Sequence, residues 1–477
     1  MAVDEPRGRR FLKTKIALGT LLVAIVGLLF AFQDVAAVFT GGAARLLCSG
    51  IFAGNRDPEL VQEQDIEDRR SAPGRYISLA WTDVDLEAET TTASLFGWKS
   101  RTAVHRDGLG CTVADGASVD ELIGQTPGLE CDVPEPDPSQ PWPVGSGDAQ
   151  LPADVDAAQL DAAIASAFAD PDPERPYGTR SVVVVHQGQL IAERYAEGFD
   201  KDSAHLSNSV AKSVTASLIG ILVKQGMLDL EQRAPIDEWA DPEDSRSAIT
   251  LDNLLRMSSG LAFEESYTKI KSDITMQYVG GDQAGFAASK QLEADPGTRW
   301  HYSTGTSNIL GRIVRKTAGG DDIAAGLEFP CEQLFRPLGM HTAVMEADAT
   351  GNFVGGSGVY ASTRDYARLG LLYLRDGVWE GERILPDGWV DYVTEHTPGS
   401  PPEHPYGAQF WLNWDGVSDE MRFPELPGDT FLMNGHQGQH VVMIPSLDLI
   451  VARNGLTEFG NWDLGQFVAG IIEALPS

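Results

Sequence analysis

The sequence predicts an α+β fold: an antiparallel β-sheet flanked by helices, with a helical insert between its first and last strands. Strand-like runs are joined by turns rather than by helical crossovers, as in 181–186, the Gln187–Gly188 turn and 190–195, which make a hairpin. Further strands are expected near the end, at 409–412, 439–444 and 449–453. Between the two groups, from about 235 to 345, apolar residues recur at helical spacing over 251–257, 285–292, 307–317 and 331–338. This order lacks the strand–helix alternation of a doubly wound parallel sheet.

Composition sets the broad class. The 477 residues are 42% hydrophobic and 22% charged, as in a globular protein, and suffice for a large domain with additions. A net charge of −33, from 69 acidic against 36 basic residues, argues against nucleic-acid binding, which needs a basic footprint. The amino terminus departs from this acidity. Arg7, Arg9, Arg10, Lys13 and Lys15 precede a charge-free apolar run over 16–32, and a second apolar patch reaches Phe39. The basic flank is expected to stay in the cytoplasm while the rest crosses a bacterial inner membrane into the periplasm. Residues 1–40 are thus read as an uncleaved anchor or a cleaved signal segment. Four cysteines, Cys48, Cys111, Cys131 and Cys331, suit an exported chain with up to two disulfides of undetermined pairing. Their spacing fits no zinc site, and neither a metal nor a cofactor is expected.

Residues 41–131 read as a strand-rich extension, with strands expected at 76–81, 91–96 and 101–105. Six prolines with glycine and acidic residues make 132–153 a linker. The main domain, 154–477, opens with a helical pattern through Leu160, Ile164 and Phe168 and continues into the hairpin. Next comes a helix carrying Val210, Val214, Leu218, Leu222 and Val223, and after the glycine-rich 355–358 another over 363–375; a last helix is expected over 464–475.

Chemistry concentrates at the front of the helix behind Ser209. Ser209 and Lys212, three residues apart, share one helix face near an amino end that favours developing negative charge. A desolvated lysine amine with a lowered pKa can take the proton of an otherwise weakly nucleophilic serine. The same four-residue spacing occurs at Ser266 and Lys269, but no apolar helix follows it. Two later clusters complete a site. Tyr302, in His301-Tyr302-Ser303-Thr304, offers a phenol that shuttles a proton beside an ammonium. His436-Gln437-Gly438-Gln439 stands at the mouth of a strand, where glycine lets a substrate approach and a backbone N–H can join that of Ser209 in an oxyanion hole. No Gly-x-Ser-x-Gly elbow is present.

Taken together in this order, these motifs resemble the serine β-lactamase and penicillin-binding-protein superfamily, in its class C-like branch of β-lactamases, D-alanyl-D-alanine carboxypeptidases, family VIII esterases and 6-aminohexanoate-dimer hydrolases. Ser209-Val-Ala-Lys212 is similar to its Ser-x-x-Lys, Tyr302-Ser-Thr304 to its Tyr-x-Asn, and His436-Gln-Gly438 to its Lys-Thr-Gly or His-x-Gly strand. The resemblance implies a β-lactamase/transpeptidase-like fold over about 154–477, Ser209 as the acylated nucleophile, and Lys212 with Tyr302 as proton carriers, either of which could be the base. It also implies that the amides of Ser209 and Gln439 hold the oxyanion, with His436, Gly438 and Thr304 lining the substrate site. Thr304 stands where β-lactamases have asparagine, and His436 where they have lysine. Both departures weaken binding of a carboxylate-bearing acylamide and favour the esterase and aminohexanoate-hydrolase branch. The expectation is a serine hydrolase of a small ester or amide. The alternatives are a carboxypeptidase or weak β-lactamase, and an envelope binding or sensor module that acylates without turnover.

Overall fold

The computed structural model describes residues 32–69, 74–126, 129, 131–266, 273–320, 322–418, 420–458, 460 and 462–476. Of the apolar run expected to meet a membrane, 16–32, all but Phe32 lies outside them.

The described chain begins with helix α1 (Phe32–Ala53), which is long and apolar enough to span a bilayer, yet 78% of its apolar window is buried within the protein. Ala43, Ala44, Leu47, Cys48 and Ile51 pack beneath an antiparallel meander of β1 (Trp81–Asp85), β2 (Thr90–Leu95), β3 (Trp98–Arg106) and β4 (Gly110–Val113). The boundary expected at 40/41 therefore falls inside one continuous helix. Small residues there allow close approach: a Cβ on Gly41 would run into the Tyr278 carbonyl. The strand expected at 76–81 starts only at Trp81, because Tyr76 and Ile77 belong to a helical turn, Gly74–Ile77. Tyr76 stacks on Phe39 at 5.4 Å, and Ile77 joins the core beneath the meander.

One buried carboxylate docks this module on the rest of the chain. Glu346 accepts hydrogen bonds from Arg45 Nε (3.1 Å) and Nη2 (2.5 Å), Ser49 Oγ (2.5 Å) and the Cys111 amide (3.3 Å). The disulfides pair Cys48 with Cys111 inside the module and Cys131 with Cys331 across 200 residues. Residues 132–153 contain no helix or strand, as their prolines require, but they form a fixed strap. Trp142 is buried, Arg368 donates to the carbonyls of Pro143 (3.0 Å) and Gly145 (2.9 Å), and Arg364 to that of Ser146 (2.8 Å).

Helix α2 (Ala157–Ala167), capped by Asp156, opens the main domain. There follow β5 (Thr179–His186), β6 (Gln189–Tyr195), β7 (Ala204–Leu206) and helix α3 (Val210–Lys224). The helical insert contains Leu251–Leu255, Asp273–Val279, Gln283–Ala288, α4 (Thr304–Gly319) and Ile323–Pro330. It leads to β8 (Val344–Met345), β9 (Val359–Ser362), α5 (Thr363–Leu374) and a small hairpin of β10 (Val378–Trp379) and β11 (Glu382–Arg383). Last come β12 (Trp411–Leu412), β13 (Phe431–Gly435), β14 (Gln439–Ile444), β15 (Leu449–Gly455) and α6 (Leu464–Ile472). The main sheet is antiparallel throughout, in the order β12-β13-β14-β15-β5-β6.

Strand periodicity explains the layers. On β5, Val182 and Val184 face α2 and α6, while Val183 and Val185 face α3 and α5, so a strand covered on both sides reads as an unbroken valine run. The α+β architecture of an antiparallel sheet flanked by helices, with its helical insert, is as the sequence predicts. Strands β7, β9 and β13 are not anticipated by it, and the strand expected at 409–412 is confined to Trp411–Leu412.

Candidate active site

Strand β7 ends at a turn where Asn208 takes φ +45°, a left-handed conformation that asparagine tolerates. Ser209 follows at the N-cap of α3, and its side chain makes no capping hydrogen bond, which leaves Oγ available for chemistry. Residues 210–222 are all buried, so α3 has no solvent face along this stretch and Lys212 is only 1% exposed. A buried amine must find its hydrogen-bond partners inside the protein. Lys212 Nζ donates to Ser209 Oγ (3.0 Å), Thr304 Oγ1 (3.0 Å) and the Gly356 carbonyl (2.8 Å).

Each partner is itself held. Thr304, the first residue of α4, donates from Oγ1 to Glu265 Oε1 (2.6 Å) and from its amide to Glu265 Oε2 (2.8 Å). A polar chain thus runs from Lys212 through the Thr304 hydroxyl to the Glu265 carboxylate. The Gly356 amide donates to Asn308 Oδ1 at 2.8 Å. A Cβ at Gly356 would lie 2.7 Å from Thr304 Cγ2 and 2.8 Å from the Thr304 carbonyl oxygen, so only glycine fits this approach.

Tyr302 lies just before α4, with its ring centroid 4.9 Å from Lys212 Nζ. Its ring packs among Trp411 (5.3 Å), Tyr406 (5.9 Å) and Trp300 (6.5 Å). Burial, with the Glu265 charge second, pushes the Tyr406 phenol well above its ordinary value, so that hydroxyl stays neutral.

His436, Gln437 and Gly438 form the turn between β13 and β14. The His436 carbonyl accepts from Asn208 Nδ2 at 2.9 Å, which latches the turn to the residue before Ser209. Gly438 has φ +85° and its carbonyl accepts from Arg453 Nη1 at 2.8 Å; a Cβ there would strike that guanidinium. Gln439 is buried, its side chain donating to the Gly455 carbonyl (2.6 Å) and accepting from Asn454 Nδ2 (2.9 Å). The His436 imidazole is pushed below its ordinary value by the surrounding protein and then by the charge of Arg69, which favours the neutral form. Beside the turn opens a cleft of about 810 Å³ lined by Arg422, His436, Gly438, His440, Thr457 and Trp462 among others.

Ser209, Lys212 and Thr304 are thus joined by hydrogen bonds, Tyr302 by ring contact, and the 436–439 turn through Asn208. Of the rival pair, Ser266 adjoins Glu265 and Lys269 lies outside the described residues. Sequence reasoning misses Glu265 and Gly356. The paired glycines at 355–356 are a usable signal for the second; the first reaches Thr304 across the fold from a polar, irregular segment. Among the described residues, one group able to offer three metal ligands together is Glu89, His105 and Asp107, in the meander rather than at Ser209.

Similarity to known proteins places the chain's fold and family. The Beta-lactamase family profile matches residues 165–456. A 6-aminohexanoate-dimer hydrolase of Paenarthrobacter ureafaciens is 27% identical over 256 residues, covering 49% of this chain and 64% of that protein. The chain therefore spans a little under two thirds of that relative's length. Among solved structures, a class C beta-lactamase superposes with TM-score 0.51 at 15% identity, covering 69% of this chain and 99% of its own. EstCE1, described as a hydrolase with promiscuous acyltransferase activity, superposes with TM-score 0.50 at 16% identity, over 67% and 98% of the two chains.

Proposed function

The chain belongs to the beta-lactamase family of serine hydrolases, and from that premise we propose that it cleaves a small ester or linear amide through an acyl-enzyme on Ser209. The observation that carries this reading is the hydrogen-bonded chain Ser209–Lys212–Thr304–Glu265 with Tyr302 stacked against the amine. Ser209 Oγ attacks the carbonyl carbon while Lys212 and Tyr302 carry its proton toward the leaving oxygen or nitrogen. The amides of Ser209 and Gln439 receive the negative charge on the carbonyl oxygen. Collapse expels the alcohol or amine, and water, deprotonated by the same pair, then releases the acid. His436 and Gly438 wall the substrate site and Thr304 holds the amine in register.

The neutral imidazole of His436, with threonine at 304, favours the esterase and aminohexanoate-hydrolase side of the family over β-lactam cleavage. The relationship to a 6-aminohexanoate-dimer hydrolase and the structural likeness to EstCE1 lean the same way. For location, the basic flank and apolar run over 16–32 support a membrane tether, and two disulfides support an oxidising compartment such as the periplasm.

The test is turnover of a p-nitrophenyl ester with intact mass recorded at short times, for the parent protein and for Ser209→Ala and Ser266→Ala. Turnover and an acyl adduct lost in Ser209→Ala alone are expected; no adduct on the parent with several ester and amide probes would overturn the reading. A single stoichiometric burst without turnover would identify a sensor. A penicillin and an aminohexanoate dimer, compared as substrates, separate the branches.

A further inference from the structure

The amino-terminal meander exposes large apolar side chains at one of its ends. Leu79, Trp81 and Phe96 are half or more exposed, and so is Phe32 at the start of α1. Trp81 and Phe96 meet edge to face at 5.9 Å, and Lys99 Nζ lies 6.0 Å from the ring centre of the neighbouring Trp98, so the aromatic cluster carries a cation at its rim. Grouped apolar side chains left in water mark a surface meant for a partner. Three contacts fix which end of α1 this surface accompanies. Phe52 stacks on His105 at 5.5 Å, Thr91 donates to the Ala44 carbonyl at 2.7 Å, and Tyr76, just before Trp81, stacks on Phe39 at 5.4 Å. Passing along β3 from His105 back to the Phe96 turn therefore retraces α1 from Phe52 toward Phe32. The opposite end of the meander, at the turns over 86–89 and 107–109, carries Asp85, Glu87, Glu89 and Asp107.

We propose that this aromatic end of the meander docks into the headgroup layer of a phospholipid bilayer, as a second membrane contact beside the tether. The proposal rests on the tether read above from the basic flank and the apolar run over 16–32, which joins the described chain at Phe32. A bilayer that holds the run brings its surface to the first turn of α1, and the exposed rings lie at that same end. Trp and Phe suit the headgroup layer, because the ring leaves water while the indole N–H of a tryptophan still meets polar groups. Lys99 can extend its amine along its apolar stem toward lipid phosphates. Charge sorts the two ends of the meander. At the aromatic end Lys99 and Asp34 offset each other, whereas the carboxylates of Asp85, Glu87, Glu89 and Asp107 are repelled by an anionic leaflet. The meander thus presents one end to lipid and keeps the other in water, and two points of attachment restrict its rotation about the tether.

The experiment places a nitroxide on Leu79→Cys, Phe96→Cys or Leu86→Cys in the full chain, reconstituted into vesicles of phosphatidylethanolamine and phosphatidylglycerol. The four native cysteines are held in disulfides, so the new thiol alone takes the label. Leu86 is as exposed as Trp81 but sits at the acidic end, which makes it the reference. Power saturation compares collisions with oxygen, which concentrates in lipid, against those with a water-soluble nickel chelate. Labels at the first two positions are expected to show an oxygen-to-nickel ratio about threefold or more above that at the reference. Equal ratios at all three positions, whether all in water or all in lipid, overturn the proposal, and so does a higher ratio at the reference. Flotation with the vesicles reports the tether separately. Protein that floats while its labels stay in water keeps the tether and loses the lipid contact, leaving the patch to a protein partner; protein that does not float loses both.

Discussion

Lys212 and Glu265 are joined through a single hydroxyl: Thr304 Oγ1 accepts from the amine at 3.0 Å and donates to the carboxylate at 2.6 Å. The direction of both bonds is fixed, because a carboxylate only accepts and the hydroxyl, having given its one proton to it, accepts from the amine. Thr304→Val removes both bonds at nearly constant volume, and Glu265→Gln keeps the shape while removing the charge. Each is expected to lower the acylation rate by about 10- to 100-fold, the scale of one or two charged hydrogen bonds. Thr304→Ser should stay close to the parent. Single-turnover kinetics with a p-nitrophenyl ester make the comparison, and a Thr304→Val variant as fast as the parent would remove the hydroxyl from the mechanism.

At Gly356 the expected effect is steric. A methyl there meets Thr304 Cγ2 at 2.7 Å and the Thr304 carbonyl at 2.8 Å, and the loop must shift together with the carbonyl that accepts from Lys212. Gly356→Ala is expected to cost about 1–3 kcal/mol of stability, as overpacking does, and to slow acylation. Urea unfolding and the same kinetic assay read the two effects; an unchanged unfolding midpoint would show that the loop has room.

The pH dependence of stability should carry a histidine signature. His205 is buried and its imidazole is pushed down to about 3, first by desolvation and then by Arg180 and Arg56. Its pKa is lower folded than unfolded, so its contribution is complete above about pH 6.5 and is lost as pH falls toward 3. Between pH 7 and pH 5 the loss amounts to about 2 kcal/mol from this residue. Urea midpoints at the two pH values should diverge in the parent and converge in His205→Gln; equal losses in both would place the acid sensitivity elsewhere.

Glu346 should behave as a keystone for the amino-terminal module. Glu346→Ala leaves Arg45 charged and buried with no carboxylate, a change that costs about 3–5 kcal/mol in comparable buried pairs. Hydrogen exchange along Phe32–Ala53 should accelerate while the Cys48–Cys111 bond persists. Unaltered exchange there would mean that apolar packing alone seats the module.

How far the sequence speaks for itself depends on distance along the chain. The valines of β5 announce a strand because burial on both faces requires four apolar residues in a row. Phe431–Gly435 escapes notice: it is short, and its Asn434-Gly435 end has the look of a turn. Ser209 and Lys212 are visible because one helical turn brings them together, whereas Glu265 meets Thr304 across 39 residues of loop and helix that no local pattern specifies. The same is true of Cys131 and Cys331, whose partnership depends on how the strap crosses the domain. At helix α1, which takes in the apolar patch up to Phe39, composition does not tell a protein neighbour from a lipid one. A helix of alanine, glycine and leucine that packs against protein has the composition of one that packs against lipid.

That helix also governs what a tether at its amino end can do. Phe32–Ala53 runs without a break from the edge of the described residues to the Glu346 junction, and the Cys48–Cys111 disulfide ties its far end to the meander. A tether attached at Phe32 would therefore pass its pull to the Glu346 junction before it reached Ser209.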